Sequence, residues 1–147
     1  MPIEIGASSV ANSRFAPKKA LDRGLGYGRL ESHYSSKRND NGNLAPVHWW
    51  IRFQEPILIG AISFKQYRWH ESRLPDDNKY EFWGCNGTIN EDYECTGKKV
   101  ILMTGDHPEL MTVSLLGKDR YYVYGLTATK LEKYGYLSIN SFRYGNL

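Results

Sequence analysis

A chain of 147 residues is long enough to bury one real core and short enough to be read as one domain. Its 19 basic and 16 acidic residues leave a formal charge of +3. That balance argues against nucleic acid, whose binders concentrate a strong basic stripe. No apolar run approaches the length of a membrane span, and the first residues lack the basic-then-apolar pattern of a signal peptide. Neither absence fixes a compartment, because a domain of this size also serves as one module of a longer chain. Aromatic residues make up 14% of the chain, eleven of them Tyr. They favour strands and supply flat contact surfaces, so the excess fits both a β fold and a binding role.

From Met1 to about Val47 there is little sustained periodicity. The pattern predicts an early strand near Ile3–Ile5, a single turn of helix or tight turn at Pro17–Leu21, and long loops thereafter. Those loops hold Gly24, Gly26 and Gly28 and the polar run from Lys37 to Gly42. The glycines do not complete a dinucleotide fingerprint and lack its strand–helix context. Next comes a strand at His48–Phe53, expected to end in a turn at Gln54-Glu55-Pro56. Ile57–Tyr67 follows as a run with β-branched enrichment that places Ile62, Phe64 and Tyr67 in strand context. Tyr80–Cys85 alternates, with Tyr80 and Phe82 on one face and Glu81, Trp83 and Cys85 on the other. Val100–Thr104 and Leu110–Leu115 flank a turn at Gly105-Asp106-His107-Pro108. Tyr121–Thr127 alternates with Tyr122, Tyr124 and Leu126 aligned, and Tyr136–Tyr144 closes the chain. Short strands at regular spacing, with no repeat, heptad or linker, point to an all-β antiparallel sandwich or jelly roll spanning residues 1–147.

Cys85 and Cys95 do not form a redox CxxC, and two thiols alone cannot complete a tetrahedral zinc site. They read either as a disulfide closing a short loop or as two reduced thiols. Asn86-Gly87-Thr88, inside that loop, is a glycosylation sequon and adds to the case for an extracellular or cell-surface setting.

Several ordered segments together resemble the coagulation-factor type C, or discoidin, domains among the galactose-binding-like jelly rolls. Ser8-Ser9 and Ala20-Leu21-Asp22 are similar to the family's opening. Trp49-Trp50-Ile51-Arg52-Phe53, Pro56 and Ile59-Gly60-Ala61-Ile62 resemble its first strand pair. Tyr80-Glu81-Phe82-Trp83-Gly84-Cys85-Asn86-Gly87 is similar to its central strand and turn, with Cys85 where Ser is usual. Ile139 to Tyr144-Gly145 resembles its closing strand. The resemblance implies a jelly roll of about eight main strands whose loops, at one end, bind glycans, anionic phospholipid headgroups or proteins. The function must still be argued from the site.

Two loops are candidates for contact. Tyr67-Arg68-Trp69-His70-Glu71-Ser72-Arg73 combines an aromatic plate for the apolar face of a sugar with directional partners for its hydroxyls. Tyr67 or Trp69 would stack, and Arg68, His70, Glu71 and Arg73 would hydrogen-bond. The alternative is that the rings cap the core and Arg73 pairs with Asp76 or Asp77. Tyr27, Arg29, His33 and Tyr34 form the second candidate, in the first long loop. Lys18-Lys19 and Lys37-Arg38 raise a further option, attraction to an anionic membrane or a polyanionic glycan. Calcium-holding relatives use an opening-loop Asp and a closing-strand carboxylate. Asp22 matches the first, but Arg23 follows where Gly is usual, and Asn140 and Ser141 stand where the carboxylate belongs. A structural calcium ion held by Asp22 therefore stays an option but not a requirement, and no other cofactor is implied. The four His residues fall into no HExxH, and no GxSxG elbow is present, so catalysis is not expected. The expectation is a non-catalytic, lectin-like or adhesion module for carbohydrate, with anionic phospholipid or protein as the alternative ligands.

Overall fold

The computed structural model describes residues 2–22, 33–65, 78–106, 110–114 and 119–145. Nine strands run through them: β1 (Pro2–Ala7), β2 (Tyr34–Ser35), β3 (Val47–Ile57), β4 (Ala61–Lys65), β5 (Lys79–Cys85), β6 (Lys99–Asp106), β7 (Leu110–Ser114), β8 (Tyr121–Lys130) and β9 (Ser138–Gly145). Short 3₁₀ turns occupy Ser13–Phe15 and Pro17–Leu21, the second of them where Pro was expected to open a helical turn. The strands form a five-stranded sheet, β1-β3-β8-β5-β6, and a four-stranded sheet, β2-β9-β4-β7. Successive strands alternate between the sheets except at β5–β6, so β6 and β7 belong to different layers. All-β antiparallel sandwich architecture follows directly.

Side chains of period two fill the space between the layers. Trp49, Ile51 and Phe53 of β3, Tyr80 and Phe82 of β5, and Tyr124 and Leu126 of β8 meet Ile62, Ile139 and Phe142 of the opposite sheet. The rings interlock: Trp49 and Phe142 have centroids 4.8 Å apart, and Phe82 stacks on Tyr124 at 6.0 Å. Each such pair contributes about 0.5–1.5 kcal/mol beyond the area it buries.

Two strand expectations are corrected. Gln54-Glu55-Pro56 does not end the strand, because β3 continues to Ile57. Between Arg52, opposite Val123, and Ile57, opposite Tyr121, the register shifts. Pro56 sits inside that irregularity, where the ladder does not need the N–H that proline lacks. The same shift alters the start of β8: Tyr121, rather than Tyr122, is buried against Tyr124, and Tyr122 is exposed. The Tyr124 hydroxyl then donates to Ile57 O at 2.7 Å and ties the irregular stretch down.

The outer face of the five-stranded sheet carries a second, smaller apolar cluster of Trp50, Trp83, Cys85 and Val123. Gly125 lies directly opposite both Trp50 and Trp83, on either side of β8. A Cβ on Gly125 would come within 2.1 Å of the Trp83 ring, so the absent side chain is what lets the indole lie down. Trp83 Nε1 donates to Thr127 Oγ1 at 2.8 Å, and Trp50 Nε1 donates to Glu4 Oε1 at 3.0 Å. Cys85 and Cys95 are joined by a disulfide. It closes a loop in which Asn90 Oδ1 accepts from the Asp92 and Glu94 amides. That loop brings Tyr93 to 6.0 Å from Trp50 and 6.4 Å from His48. Asn86, the sequon asparagine, is exposed at its base.

Candidate functional site

The segments that follow β2 and β8 meet one another, and meet Asn78 just ahead of β5, at one end of the sandwich. Two buried asparagines hold them together. Asn39 Nδ2 donates to Leu131 O at 2.9 Å and Glu132 O at 3.0 Å, and its Oδ1 accepts from Leu44 N. Its backbone completes the seam, with Asn39 N donating to Gly135 O and Tyr134 N donating to Asn39 O. Asn78 Oδ1 accepts from Glu132 N, and its Nδ2 donates to the Tyr80 hydroxyl at 3.0 Å. Amides are suited to this work because each offers donors and an acceptor to backbone that no strand can satisfy.

The product of this bracing is one projecting ring. Tyr134 has a left-handed backbone, φ 67°, and is 53% exposed, the most exposed large apolar side chain among the described residues. The Arg38 guanidinium carbon stands 5.7 Å from its centroid and Lys133 Nζ 5.2 Å. Arg38 is itself oriented by a hydrogen-bonded ion pair with Asp40, and that bond holds its pKa above the ordinary value. A non-glycine residue in this backbone region costs about 1–2 kcal/mol, and such strain concentrates at functional positions. Lys79, Tyr80, Glu81, Thr104, Gly105 and Thr129, on β5, β6 and β8, line a shallow open depression of about 410 Å³ that begins one residue after Asn78. An exposed ring, a fixed guanidinium and a carboxylate can stack on a flat ligand and hydrogen-bond its hydroxyls.

Of the residues that the sequence nominated, Tyr67, Arg68, Trp69, His70, Glu71, Arg73 and Tyr27 lie outside the described residues. Asn78, a few residues after Arg73 in the sequence, belongs to the same braced cluster as Tyr134. His33 and Tyr34 are buried, not at the surface where ligand contacts were expected. His33 packs on Phe15 at 4.8 Å, and the Tyr34 hydroxyl donates to Ser9 O at 2.8 Å. Burial pushes the Tyr34 phenol far above its ordinary pKa. Tyr134 and Lys133 were missed altogether, and Arg38 was noted only as charge.

The calcium donor set fits poorly. Asp22 closes the 3₁₀ turn Pro17–Leu21, with its amide donating to Lys19 O. The neighbouring carbonyl, Leu21 O, accepts from Arg143 Nη1 at 2.7 Å, and the same nitrogen donates to Phe142 O. A guanidinium charge therefore already occupies the carbonyls between opening turn and closing strand. Asn140 is fully buried on that strand, and neither its Oδ1 nor its Nδ2 has a partner among the described residues. Calcium wants six to eight oxygens, with carboxylates prominent, and this corner offers Asp22 beside a competing cation. Among the described residues no group of three or more His, Cys, Asp or Glu is placed to hold a metal.

No family model matches the chain, and no curated protein matches it. Solved structures do. Chitosan-binding module 1 of a chitosanase/glucanase from Paenibacillus sp. IK-5 superposes with a TM-score of 0.70 at 11% identity, over 97% of this chain and 94% of that one. Module 2 of the same enzyme, in complex with chitotriose, gives 0.68 at 15% identity, over 96% and 94%. The family 32 carbohydrate-binding module of C. perfringens NanJ, in complex with galactose, gives 0.67 at 16% identity, over 96% and 91%. At such identities the likeness is one of fold: the chain has the jelly-roll fold that these modules adopt.

Proposed function

We propose that this domain is a non-catalytic carbohydrate-binding module of discoidin-like type, engaging a glycan at the loop end that carries Tyr134. The observation that carries the reading is the Tyr134–Arg38–Asp40 constellation, an exposed ring beside an oriented guanidinium, braced by two buried asparagines. Tyr67, Trp69, His70 and Arg73 precede Asn78 in the sequence and are assigned as further contacts. The three structural neighbours, a chitosan-binding module and two modules in complex with galactose or chitotriose, support the class of ligand. The Cys85–Cys95 bond supports an oxidising, extracellular or cell-surface setting.

The membrane reading has weaker support. Lys19 Nζ is engaged by Arg14 O at 2.7 Å, and Leu44 packs against the core instead of projecting as an apolar spike. We infer further that the fold needs no calcium, because Arg143 bridges the carbonyls that a cation would gather. A glycan array, run with calcium and with chelator, tests the whole reading. Saturable binding that survives chelation and is lost in Tyr134→Ala is the expected result. A blank array under both conditions would overturn it.

A further inference from the structure

The charge around Tyr134 narrows the ligand. Lys133 has its ammonium 5.2 Å from the ring centroid, and no carboxylate lies within ion-pair range of it among the described residues. Asp40, an acid of this cluster, is already committed to Arg38. On the adjoining strands Lys79 stands directly opposite Lys130, across the β5–β8 pair at the edge of the depression. Like charges facing across an antiparallel pair destabilise the sheet, and this pair sits where the register already shifts. Glu81, the acidic residue lining the depression, lies two positions further down β5, opposite Thr127.

A neutral sugar would meet these cations only through its hydroxyls. A carboxylate or sulfate would meet them through charge-assisted bonds, and Arg38, planar and fixed by Asp40, presents the fork that such groups fit. Chitosan chemistry is opposite in sign: its amines would face Lys133, whose charge no ion pair among the described residues offsets, and be repelled. We propose that the loop-end site selects an acidic glycan, one bearing uronate carboxylates or sulfate esters, over neutral and cationic sugars. The inference rests on the carbohydrate-binding reading and deepens it.

Calorimetric titration of the intact domain tests it, using trigalacturonate, its methyl ester, a heparin-derived tetrasaccharide, galactose and chitotriose. The methyl ester removes the charge and keeps the ring shape. At least one acidic probe should bind about tenfold or more tighter than the methyl ester and galactose, as one charge-assisted bond implies. Binding should weaken several-fold as salt rises, since the groups are exposed and screened. Lys133→Met and Arg38→Met should each remove most of the preference while leaving the melting temperature unchanged.

If the methyl ester, galactose or chitotriose binds as tightly as the acidic probes, the charge inference fails and the carbohydrate reading stands. If no sugar binds, both fail. An acidic preference that survives Lys133→Met and Arg38→Met overturns the location. Vesicles containing phosphatidylserine form the last arm. Binding to them, with none to the soluble acidic probes, would overturn the proposal in favour of a membrane surface.

Discussion

Tyr93 and Tyr134 both hold a left-handed backbone, with φ of 61° and 67°, and both sit in tight turns. Their settings differ. Tyr93 belongs to the loop closed by Cys85–Cys95, and its ring lies over His48 and Trp50 on the outer face of the five-stranded sheet. Around it the indole N–H groups of Trp50 and Trp83 already have partners within the chain. Tyr134 is braced from behind by Asn39 and Asn78, and its ring stands among Arg38 and Lys133. One region uses aromatic rings as scaffold, bonded inward. The other raises a ring that the core does not use. Strain in both places shows that a left-handed tyrosine alone does not mark a site; what the ring faces decides it.

Substitutions in the two regions should therefore dissociate stability from binding. The largest effect belongs to Gly125→Ala. The new Cβ would meet Trp83 at 2.1 Å, so the indole must leave its place and Thr127 loses its donor. Displacing a buried Trp costs about 3–5 kcal/mol, readable by urea denaturation, while glycan affinity of the folded fraction stays unchanged. A loss below about 1 kcal/mol would mean that the outer cluster repacks freely, and the contrast between regions would weaken.

Next in size is Arg143→Met. It removes two charge-assisted bonds to backbone carbonyls and should cost about 1–3 kcal/mol in the same assay. Calcium or chelator should leave the melting temperature of the unaltered domain where it is. A calcium-dependent rise would show that a cation can share that corner with the guanidinium, and would overturn the calcium-free reading.

Smaller, and opposite in sign, is Tyr134→Gly. Glycine adopts φ 67° without the side-chain clash, so the domain should hold or gain up to about 1 kcal/mol while losing its glycan. Tyr93→Gly relieves the same strain but forfeits the ring's contacts with Trp50 and His48, so it should not stabilise. Equal responses at the two positions would erase the distinction drawn between them.

The sandwich was legible because its signal is local and repeated. Alternation in Tyr80–Cys85 already separated Tyr80 and Phe82 from Trp83 and Cys85, and the two sets line the main core and the outer cluster. Alternation failed where the register slips: the irregularity after Arg52 swapped Tyr121 for Tyr122, and nothing local to either strand announces a slip between them. The loop end was legible as a place but not as a set of residues. Arg38 and Tyr134 are far apart in the chain, and they meet because Asn39 bonds across to Leu131 and Glu132. A buried asparagine in a polar loop looks, in sequence, like any other loop asparagine. His33 and Tyr34 lie under cover for the converse reason, since Tyr34 opens the short strand β2 and His33 directly precedes it.

The smallest effect concerns His48, which ties the outer face to pH. Its Nδ1 lies 2.8 Å from Thr127 Oγ1, the oxygen that also accepts from Trp83 Nε1. A neutral ring completes a chain in which Trp83 donates to Thr127 and Thr127 donates to Nδ1. A protonated ring has no lone pair there and leaves the Thr127 proton unplaced. Desolvation, helped by the charge of Lys99, lowers the folded His48 pKa below its ordinary 6.5. Between that lowered value and 6.5 the unfolded chain binds more protons than the folded one. Stability is therefore full above 6.5 and is lost as pH falls through the folded value. Denaturation of the native domain and His48→Gln across this range isolates the contribution, because other titrating groups cancel in the difference. The native curve should fall more steeply on the acid side, with glycan affinity at neutral pH the same in both. Parallel curves would mean that the Trp83–Thr127–His48 chain tolerates a charge, and that the outer face is less closed than its buried indoles suggest.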